Sequence, residues 1–206
     1  MKKNINSGFF LPIAEQFYSI QGEGINSGKA AYFIRLAGCN VKCPWCDTKF
    51  SWTYSDNQVI DVESIVSSAL SYPSRNVVIT GGEPLLYNLS ELCNLLHSNG
   101  FSIWLETSGC EPLSGNFDWI CVSPKQNRQP LSEVLSKANE LKIVITSATD
   151  FKVAEHYASM VSNNCRLLLQ SEFSVAGLIY PLITDYVLKN PNWQVSLQTH
   201  KILNII

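Results

Sequence analysis

The chain has 206 residues, of which 46% are hydrophobic and 16% are charged, and its formal net charge at pH 7 is -2. This length fits one α/β domain with a well-buried core, and the composition is typical of a globular protein, not a disordered one. The 15 Lys and Arg residues against 17 Asp and Glu residues leave no basic excess for a nucleic-acid backbone, which argues against a direct nucleic-acid partner.

Neither a membrane segment nor a secretory leader is predicted. No apolar run approaches the roughly 20 residues that a membrane-spanning helix needs. The N-terminal stretch "MKKNINSGFFLPIAEQ" has two lysines, but its apolar run is short, is broken by Pro12 and is followed by Glu15, unlike a signal peptide. The seven cysteines are an odd number and many lie scattered, so they form no disulfide framework, which favours a reducing cytoplasm and metal binding by clustered thiols.

Short strand patterns alternate with helix patterns along the chain. In chain order they are strand "AAYFIRLAG", helix "VESIVSSAL", strand "NVVIT", helix "LSELCNLLHSNG" closed by Gly100, strands "FSIWLETSG" and "WICVSPK", a helix around 131–140, strand "LKIVIT", a helix around 150–161, strand "RLLLQ", a helix around 174–189 and strand "WQVSLQT". The alternation predicts parallel βαβ units in one domain, residues 1–206, curled into a partial α/β barrel of the TIM type. The cysteine loop, "TGGEP", "ETSG", "SPK" and "LLQS" follow strands, where such barrels carry their chemistry.

The segment "RLAGCNVKCPWCDTKF" places Cys39, Cys43 and Cys46 within eight residues. Thiolates suit zinc or an iron–sulfur cluster. A closed zinc site needs a fourth ligand, and the next candidates, Cys93 and His97, fall on a predicted helix whose apolar stripe includes Cys93. Three thiols instead suit a cubane [4Fe-4S] cluster that leaves one iron open, as a catalytic metal requires.

The spacing C-x3-C-x2-C after a strand, with Trp45 before the last cysteine, resembles the radical S-adenosylmethionine superfamily. The resemblance implies that the open iron holds the amino and carboxylate groups of S-adenosyl-L-methionine. One electron then breaks the S–C5′ bond and releases a 5′-deoxyadenosyl radical. "TGGEP" at 80–84 strengthens the resemblance, because two glycines let the backbone approach a ligand closely and the superfamily binds the cofactor's amino group with such a loop.

The stretch "FYSIQGEGINSG" fails the phosphate-loop pattern, because Glu23 stands where glycine is required and Ala30 follows Lys29. Read with the other motifs and the terminal "SLQTHKILNI", it resembles the 7-carboxy-7-deazaguanine synthase family over nearly the whole chain. That resemblance implies a homodimer that converts 6-carboxy-5,6,7,8-tetrahydropterin into 7-carboxy-7-deazaguanine for queuosine biosynthesis, with loss of ammonia. It also implies a need for Mg²⁺ and, as is usual in the superfamily, electrons from flavodoxin or ferredoxin.

The resemblance assigns roles to residues through matching motifs. The cluster ligands are Cys39, Cys43 and Cys46, and the Mg²⁺ ligand is Thr48. The expected substrate contacts are Ile20, Gln21, Gly22, Glu23, Arg35 and Thr80. The expected contacts of S-adenosylmethionine are Trp45, Cys46, Asp47, Gly82, Glu106, Ser123, Pro124, Lys125 and Gln170. One departure stands out, because Gln170-Ser171 replaces the family's Gln-Pro pair and lacks a proline that would stiffen the turn.

The residue types agree with these roles. A hard cation such as Mg²⁺ takes oxygen ligands and keeps waters or substrate oxygens in its shell, which suits the Thr48 hydroxyl, and Asp47 could orient a metal-bound water. Amide and carboxylate groups at Gln21 and Glu23 can pair with the polar edge of a pterin. The guanidinium of Arg35 can grip a carboxylate at two points.

Two other protein classes share part of the pattern. A different radical enzyme, such as a glycyl-radical activase with a macromolecular substrate, would share the cysteines and GGEP but would not need "SIQGEG", Arg35 or Thr48. A non-catalytic iron–sulfur or zinc protein would use the cysteines as a structural clip. The remaining cysteines are interpreted as ordinary thiols (Cys93, Cys110, Cys121 and Cys165), and His200 is expected at the active-site end or at an interface.

Overall fold

This computed structural model describes residues 4–205, which contain nine strands and six α-helices joined by loops and short 3-10 turns. In chain order they are β1 (Phe10–Ile20), β2 (Ala30–Leu36), β3 (Val59–Asp61), α1 (Val62–Leu70), β4 (Asn76–Gly81), α2 (Ser90–Ser98), β5 (Ser102–Thr107), β6 (Trp119–Val122), α3 (Ser132–Ser136), β7 (Glu140–Ile145), α4 (Asp150–Ala158), β8 (Arg166–Ser171), α5 (Ala176–Lys189), β9 (Trp193–Ser196) and α6 (Thr199–Leu203). The two N-terminal lysines and both ends of the predicted 1–206 range lie outside the described residues.

All nine strands form one sheet in the order β3-β1-β2-β4-β5-β6-β7-β8-β9. From β2 through β9 each neighbouring pair in this order is parallel, whereas β1 runs antiparallel to both β2 and β3. Because the two end strands do not pair with each other, the sheet stays open. The predicted parallel α/β architecture of a partial barrel is confirmed.

The antiparallel strand β1 is not among the predicted elements. Its apolar pattern is interrupted by Pro12 and by the run from Glu15 to Gln16, and proline is uncommon inside strands. The pairing with β2 shifts register between Ile13 and Glu15, which is the kind of β-bulge that accommodates such residues. This strand matters because the "SIQGEG" loop follows it. The loop starts beside the amino end of β2, where Ile20 pairs with Ala30, and reaches Ser196 at the end of β9.

The predicted helices are all present, although three are shorter than their patterns. The pattern around 131–140 forms only α3, because the Asn139 side chain accepts a hydrogen bond from Ile120 N at 2.8 Å and Glu140 already begins β7. The segment 173–175 is a separate 3-10 turn before α5, and α4 ends at Ala158. Within residues 4–205 there is no helix with the length and apolarity to cross a lipid bilayer.

The two faces of the sheet carry different side chains, because neighbouring residues of a strand point to opposite sides. On the outer face, strand residues such as Ile34, Ile79 and Leu105 join the helices in the main apolar core. On the inner face a smaller cluster contains Phe33 and Trp104, and the ring of Phe33 stacks on Phe17 with centroids 4.8 Å apart. Above this apolar floor, the inner residues at the carboxyl ends of the strands are polar.

Candidate active site

A pocket of about 570 Å³ opens inside the barrel at the carboxyl ends of the parallel strands. The predicted site residues on its wall are Ile20, Gln21, Gly22, Glu23, Arg35, Cys39, Cys43, Trp45, Cys46, Asp47, Thr48, Thr80, Gly82, Glu106, Ser123, Lys125 and Gln170. The exception is Pro124, which lines a smaller cavity beside it. Residues distant in sequence therefore meet in one space, as the positions of their motifs after the strands predict.

The cysteine loop follows β2 and forms one side of this pocket. Cys43 is nearly buried, whereas Cys39 and Cys46 are half-buried, and the three pack in one small cluster that also holds Cys110. Burial raises the pKa of the Cys43 thiol, Lys125 opposes that shift, and the neighbouring Cys39 and Cys46 add to it. The electrostatic influence between the cysteines reflects how closely they approach one another.

Their donor chemistry fits an iron–sulfur cluster. Within residues 4–205 no three His, Cys, Asp or Glu side chains converge tightly enough to hold a single metal ion. A cubane does not require such convergence, because each iron takes its own thiolate and the sulfurs are spread around the cluster. Cys39, Cys43 and Cys46 along one pocket wall are the three soft sulfur ligands that would hold such a cluster.

The glycine pair of "TGGEP" is joined to the start of the cysteine loop by the backbone. Gly82 N donates to Leu36 O at 3.0 Å, and Glu83 N donates to Gly38 O at 2.9 Å. A Cβ atom on Gly82 would lie 2.2 Å from Gly38 O, so glycine is required for this close approach. The two loops therefore form one rigid edge of the pocket.

The side chain of Glu83 also holds the GGEP loop in place. Its carboxylate is 1% exposed and accepts hydrogen bonds from Thr107 Oγ1 at 2.6 Å, Leu85 N at 3.1 Å and Ser108 N at 2.9 Å, and also from Ser108 Oγ. Four donors leave this buried carboxylate well satisfied. The glutamate of GGEP thus ties its own loop to "ETSG" after β5.

The "SIQGEG" loop between β1 and β2 is fastened to the C-terminal segment across the opening of the sheet. Thr199 N donates to Gly22 O at 2.8 Å, and Gly24 N donates to Ser196 Oγ at 3.1 Å. A Cβ atom on Gly22 would lie 2.2 Å from Nδ1 of His200, which lines the pocket as expected for a residue at the active-site end. These contacts close the pocket on the side that the strands leave open.

A buried lysine connects the inner carboxylates. The side chain of Lys142 on β7 is 4% exposed, and its Nζ lies 2.7 Å from Glu23 Oε2 and 3.0 Å from Glu106 Oε2. The remaining oxygens accept amide hydrogen bonds, from Gln198 Nε2 to Glu23 at 2.7 Å and from Gln21 Nε2 to Glu106 at 3.3 Å. The motifs do not reveal Lys142. The one feature of the sequence that could have indicated Lys142 is its place inside the apolar strand "ELKIVI". An unpaired charge would be costly there, so a partner is expected.

The ionisation of this group follows from burial and charge. Burial acts to raise the pKa of Glu23, but the Lys142 ammonium, together with the side-chain hydrogen bonds of Gln198 and Gln170, lowers that pKa to about 2. Burial raises the pKa of Glu106, and the carboxylates of Glu140 and Glu23 add to this effect against Lys142. Although burial opposes it, the surrounding anionic groups hold the pKa of Lys142 well above its usual range. Glu23 is therefore an ionised acceptor facing the pocket.

Arg35 faces the pocket from β2 and is partly engaged. Its Nε donates to Glu15 Oε1 at 2.6 Å, an ion pair that a purely structural arginine would also make. Among residues 4–205 the terminal nitrogens Nη1 and Nη2 have no protein acceptor. Thr80, on the neighbouring strand β4, pairs with Arg35 in the sheet and lines the same pocket.

The expected Mg²⁺ position offers one protein oxygen. Thr48 Oγ1 lies 3.5 Å from Cys46 Sγ, at the edge of the cysteine loop. Asp47 is directed to Lys201, with Oδ2 and Nζ 3.0 Å apart. A single hydroxyl fits an Mg²⁺ ion that takes its other oxygens from substrate and water, and Asp47 is held by the C-terminal helix α6.

The expected cofactor contacts after β6 and β8 are already internally bonded. Lys125 Nζ donates to Ser123 Oγ at 2.6 Å, and burial lowers the pKa of Lys125. Gln170 is buried, and its Oε1 accepts from Ser196 Oγ at 2.8 Å. Ser171, which replaces the family's proline, donates from Oγ to Glu172 O at 2.8 Å, so a side-chain hydrogen bond holds this turn.

Comparisons with known proteins agree with this architecture. A profile described as the Radical SAM superfamily matches residues 33–142. The 7-carboxy-7-deazaguanine synthase of Flavobacterium psychrophilum is 46% identical over 98% of this chain and 95% of its own length. The enzyme of the same name from Escherichia coli is 35% identical over 94% and 98%.

The solved structures give the same answer. The crystal structure of QueE from Escherichia coli has a TM-score of 0.85 and 31% sequence identity, covering 94% of this chain and 96% of that one. Both the sequence and the fold match over nearly full length. The chain therefore belongs to the 7-carboxy-7-deazaguanine synthase family, within the radical SAM superfamily.

Proposed function

We propose that the protein converts 6-carboxy-5,6,7,8-tetrahydropterin into 7-carboxy-7-deazaguanine, with ring contraction and release of ammonia, as a step of queuosine biosynthesis. The family carries a [4Fe-4S] cluster and S-adenosylmethionine, which when bound supply a 5′-deoxyadenosyl radical. One observation carries the proposal. The three-cysteine loop, the GGEP edge and a ring of polar side chains suited to a pterin line the same pocket.

The proposed cluster and cofactor half of the pocket is the side formed by the loops after β2, β4 and β6. Cys39, Cys43 and Cys46 would hold three irons, and the fourth iron would take the amino and carboxylate groups of S-adenosylmethionine. The exposed backbone beside Gly82 and the Ser123 hydroxyl would orient that cofactor, together with the other assigned contacts (Trp45, Asp47, Glu106, Pro124, Lys125 and Gln170). The stacked aromatic floor below them would help to keep water out of the space where the radical is used.

The proposed substrate half lies between the "SIQGEG" loop and β2. Ile20 and the backbone of Gly22 would contact the pterin face, while Gln21 and ionised Glu23 would accept its ring N–H groups. Arg35 would bind the substrate carboxylate through the two terminal nitrogens that Glu15 leaves unused. Thr80, beside Arg35 in the sheet, would add a hydroxyl contact.

We also propose the conditions under which the enzyme works. Mg²⁺ would bridge Thr48 and substrate oxygens, consistent with the preference of this ion for oxygen ligands. The working form would be a cytoplasmic homodimer reduced by flavodoxin or ferredoxin, acting on a free pterin without a nucleic-acid or membrane partner. The net charge of -2 fits the lack of a polyanionic partner.

An anaerobic assay tests the proposal. The reconstituted protein is incubated with S-adenosylmethionine, reductant, Mg²⁺ and the carboxypterin, and the deazaguanine product is measured by mass. We expect product from the native chain and from Cys93→Ala, a buried cysteine on α2 away from the pocket. Cys43→Ala should lose the cluster absorption, cofactor cleavage and product together. Product formation by Cys43→Ala, or none by the native chain, would refute the proposed function.

A further inference from the structure

Lys142 has no role in the motif-based assignments, yet it lines the pocket and pairs with two carboxylates there. We propose that Lys142 is a positioning residue for the pterin substrate, because it holds the substrate-facing carboxylate of Glu23 in place through a network that also includes Glu106 and Gln21. This inference rests on the proposed function, since it concerns how that substrate is recognised. The geometry, the local charge and the chemistry of the ring each support it.

The geometry is a closed ring of hydrogen bonds. Lys142 Nζ donates to Glu23 Oε2 at 2.7 Å and to Glu106 Oε2 at 3.0 Å. Gln21 Nε2 donates to Glu106 Oε1, and Glu23 N donates to Gln21 Oε1, both at 3.3 Å. The ring joins the "SIQGEG" loop to β5 and β7, so the position of each carboxylate depends on the ammonium between them.

The local charge makes this ammonium necessary. Glu140 lies two residues before Lys142 on the same face of β7 and is 2% exposed, so three inner carboxylates surround one lysine. Buried like charges without a partner are strongly unfavourable, and removing the cation would force protonation or displacement of a carboxylate. Lys142 is also the foremost of the groups that lower the pKa of Glu23 against the effect of burial, ahead of Gln198 and Gln170.

The chemistry of the substrate explains what the arrangement achieves. The pyrimidine part of a pterin presents a ring N–H and an amino group side by side, and a carboxylate can accept from both. An ionised carboxylate oxygen can accept more than one hydrogen bond. Glu23 can therefore keep its bonds to Lys142 and Gln198 and still accept from the ring. A protonated or rotated Glu23 would lose part of this capacity.

The first test compares Lys142→Met with Leu141→Ala in the anaerobic assay. Methionine keeps the length of the side chain but removes the charge and the donors. We expect the KM for the carboxypterin to rise about 10- to 100-fold, the range expected for charged hydrogen bonds. Cluster absorption should stay at the native level, because the cysteine loop is untouched. Leu141→Ala, a buried outer-face change on the same strand, should lower Tm without changing this KM.

Three further variants separate positioning from simple folding. Lys142→Arg retains the charge and should bring the KM to within a few-fold of the native value, and Lys142→Gln replaces Lys142→Met if the latter is insoluble. Glu23→Gln should raise the KM in the native background but add little in the Lys142→Met background, because residues of one network are not additive.

The outcomes distinguish this inference from the proposed function. If the native chain makes no deazaguanine, the proposed function fails and this inference fails with it. If the native chain turns over but Lys142→Met or Lys142→Gln keeps the native KM, only the role of Lys142 is overturned. Two other results would show that Lys142 has only a structural role. One is that the effects of Glu23→Gln and Lys142→Met on KM are strictly additive. The other is that Lys142→Arg does not restore the KM and that cofactor cleavage and product formation fall together.

Discussion

At the scale of single residues, Arg35 shows how one guanidinium can be held by the protein and still have donors for a ligand. Glu15 occupies Nε at 2.6 Å and fixes the plane of the group, and a fixed fork loses less rotational freedom on binding. The terminal nitrogens then present the geometry that a carboxylate prefers. The ion pair with Glu15 and the proposed clamp are therefore compatible.

Changing Arg35 to Ala should raise the KM for the carboxypterin about 10- to 100-fold, because a charge-assisted hydrogen-bond pair is lost. Cofactor cleavage without substrate should persist, since the cysteine loop is untouched. Steady-state kinetics with the substrate and with an analogue lacking the carboxylate measure the effect. The control is Arg75→Ala. Arg75 is exposed, lies outside the pocket and donates from Nη1 to Tyr72 O. An equal loss with both compounds would argue against the clamp.

Thr48 provides a test of the Mg²⁺ proposal. Removing its hydroxyl in Thr48→Ala takes away the protein oxygen offered at the end of the cysteine loop, so the concentration of Mg²⁺ needed for half-maximal product formation should increase severalfold. Thr48→Ser keeps the hydroxyl and should respond to Mg²⁺ like the native chain. Product formation in the anaerobic assay is measured for both variants over a range of Mg²⁺ concentrations. An unchanged Mg²⁺ response in Thr48→Ala would remove Thr48 from the metal's ligands.

At the scale of elements, the site is built where strand-end loops bond to one another. The GGEP loop bonds to the cysteine loop through two backbone hydrogen bonds, and Glu83 bonds the same loop to the end of β5. These bonds hold the loops in place before any ligand arrives. A preorganised edge reduces the ordering that ligand binding would otherwise require.

This close approach makes a sharp prediction for Gly82→Ala. The new Cβ would lie 2.2 Å from Gly38 O, so the backbone must shift, and we expect a lower Tm and at least tenfold slower cofactor cleavage. Gly177→Ala is the matched control, because its Cβ would meet nothing within 4 Å on α5. Alanine there should leave cleavage unchanged and stabilise the helix by up to about 1 kcal/mol. Thermal unfolding and S-adenosylmethionine cleavage measure both, and native-like cleavage in Gly82→Ala would contradict the explanation.

The same elements show what the sequence could predict. The cysteine loop and GGEP are short continuous motifs, so their residue spacing can be recognised in the sequence without knowledge of the fold. The strands that precede them have clear apolar patterns. Lys142 was missed because its partners Glu23 and Glu106 lie 119 and 36 residues away, and no local pattern joins them. Strand β1 was missed because its stability comes from antiparallel partners on both sides and not from its own apolar periodicity.

At the scale of the whole molecule, the sheet is open, and segments outside the sheet complete the wall of its pocket. The "SIQGEG" loop and the segment after β9 meet through Thr199 N to Gly22 O and through Gly24 N to Ser196 Oγ. Lys201 on α6 also pairs with Asp47 of the cysteine loop. The C-terminal segment therefore contacts both the proposed pterin loop and the cluster loop, so the partial barrel depends on it to complete the pocket.

Helices α5 and α6 expose large apolar side chains that suit the proposed homodimer. Leu178 and Leu188 on α5 are 77% and 78% exposed, and Ile202 and Leu203 on α6 are also exposed. Helix α5 packs beside β9, the last strand at one edge of the sheet. A second copy of the chain that packed on this helix would remove Leu178 and Leu188 from water, which is favourable.

We therefore expect Leu178→Glu combined with Leu188→Glu to convert the proposed dimer into a monomer, because burying two carboxylates in an apolar interface without partners is strongly unfavourable. Val153→Glu, an exposed apolar position on α4 at 41% exposure, is the control and should remain dimeric. Sedimentation velocity on the cluster-loaded protein measures the mass of each species. If the native chain is a dimer and the double variant remains one, its subunits must associate through a different surface. A monomeric native chain would rule out the homodimer itself.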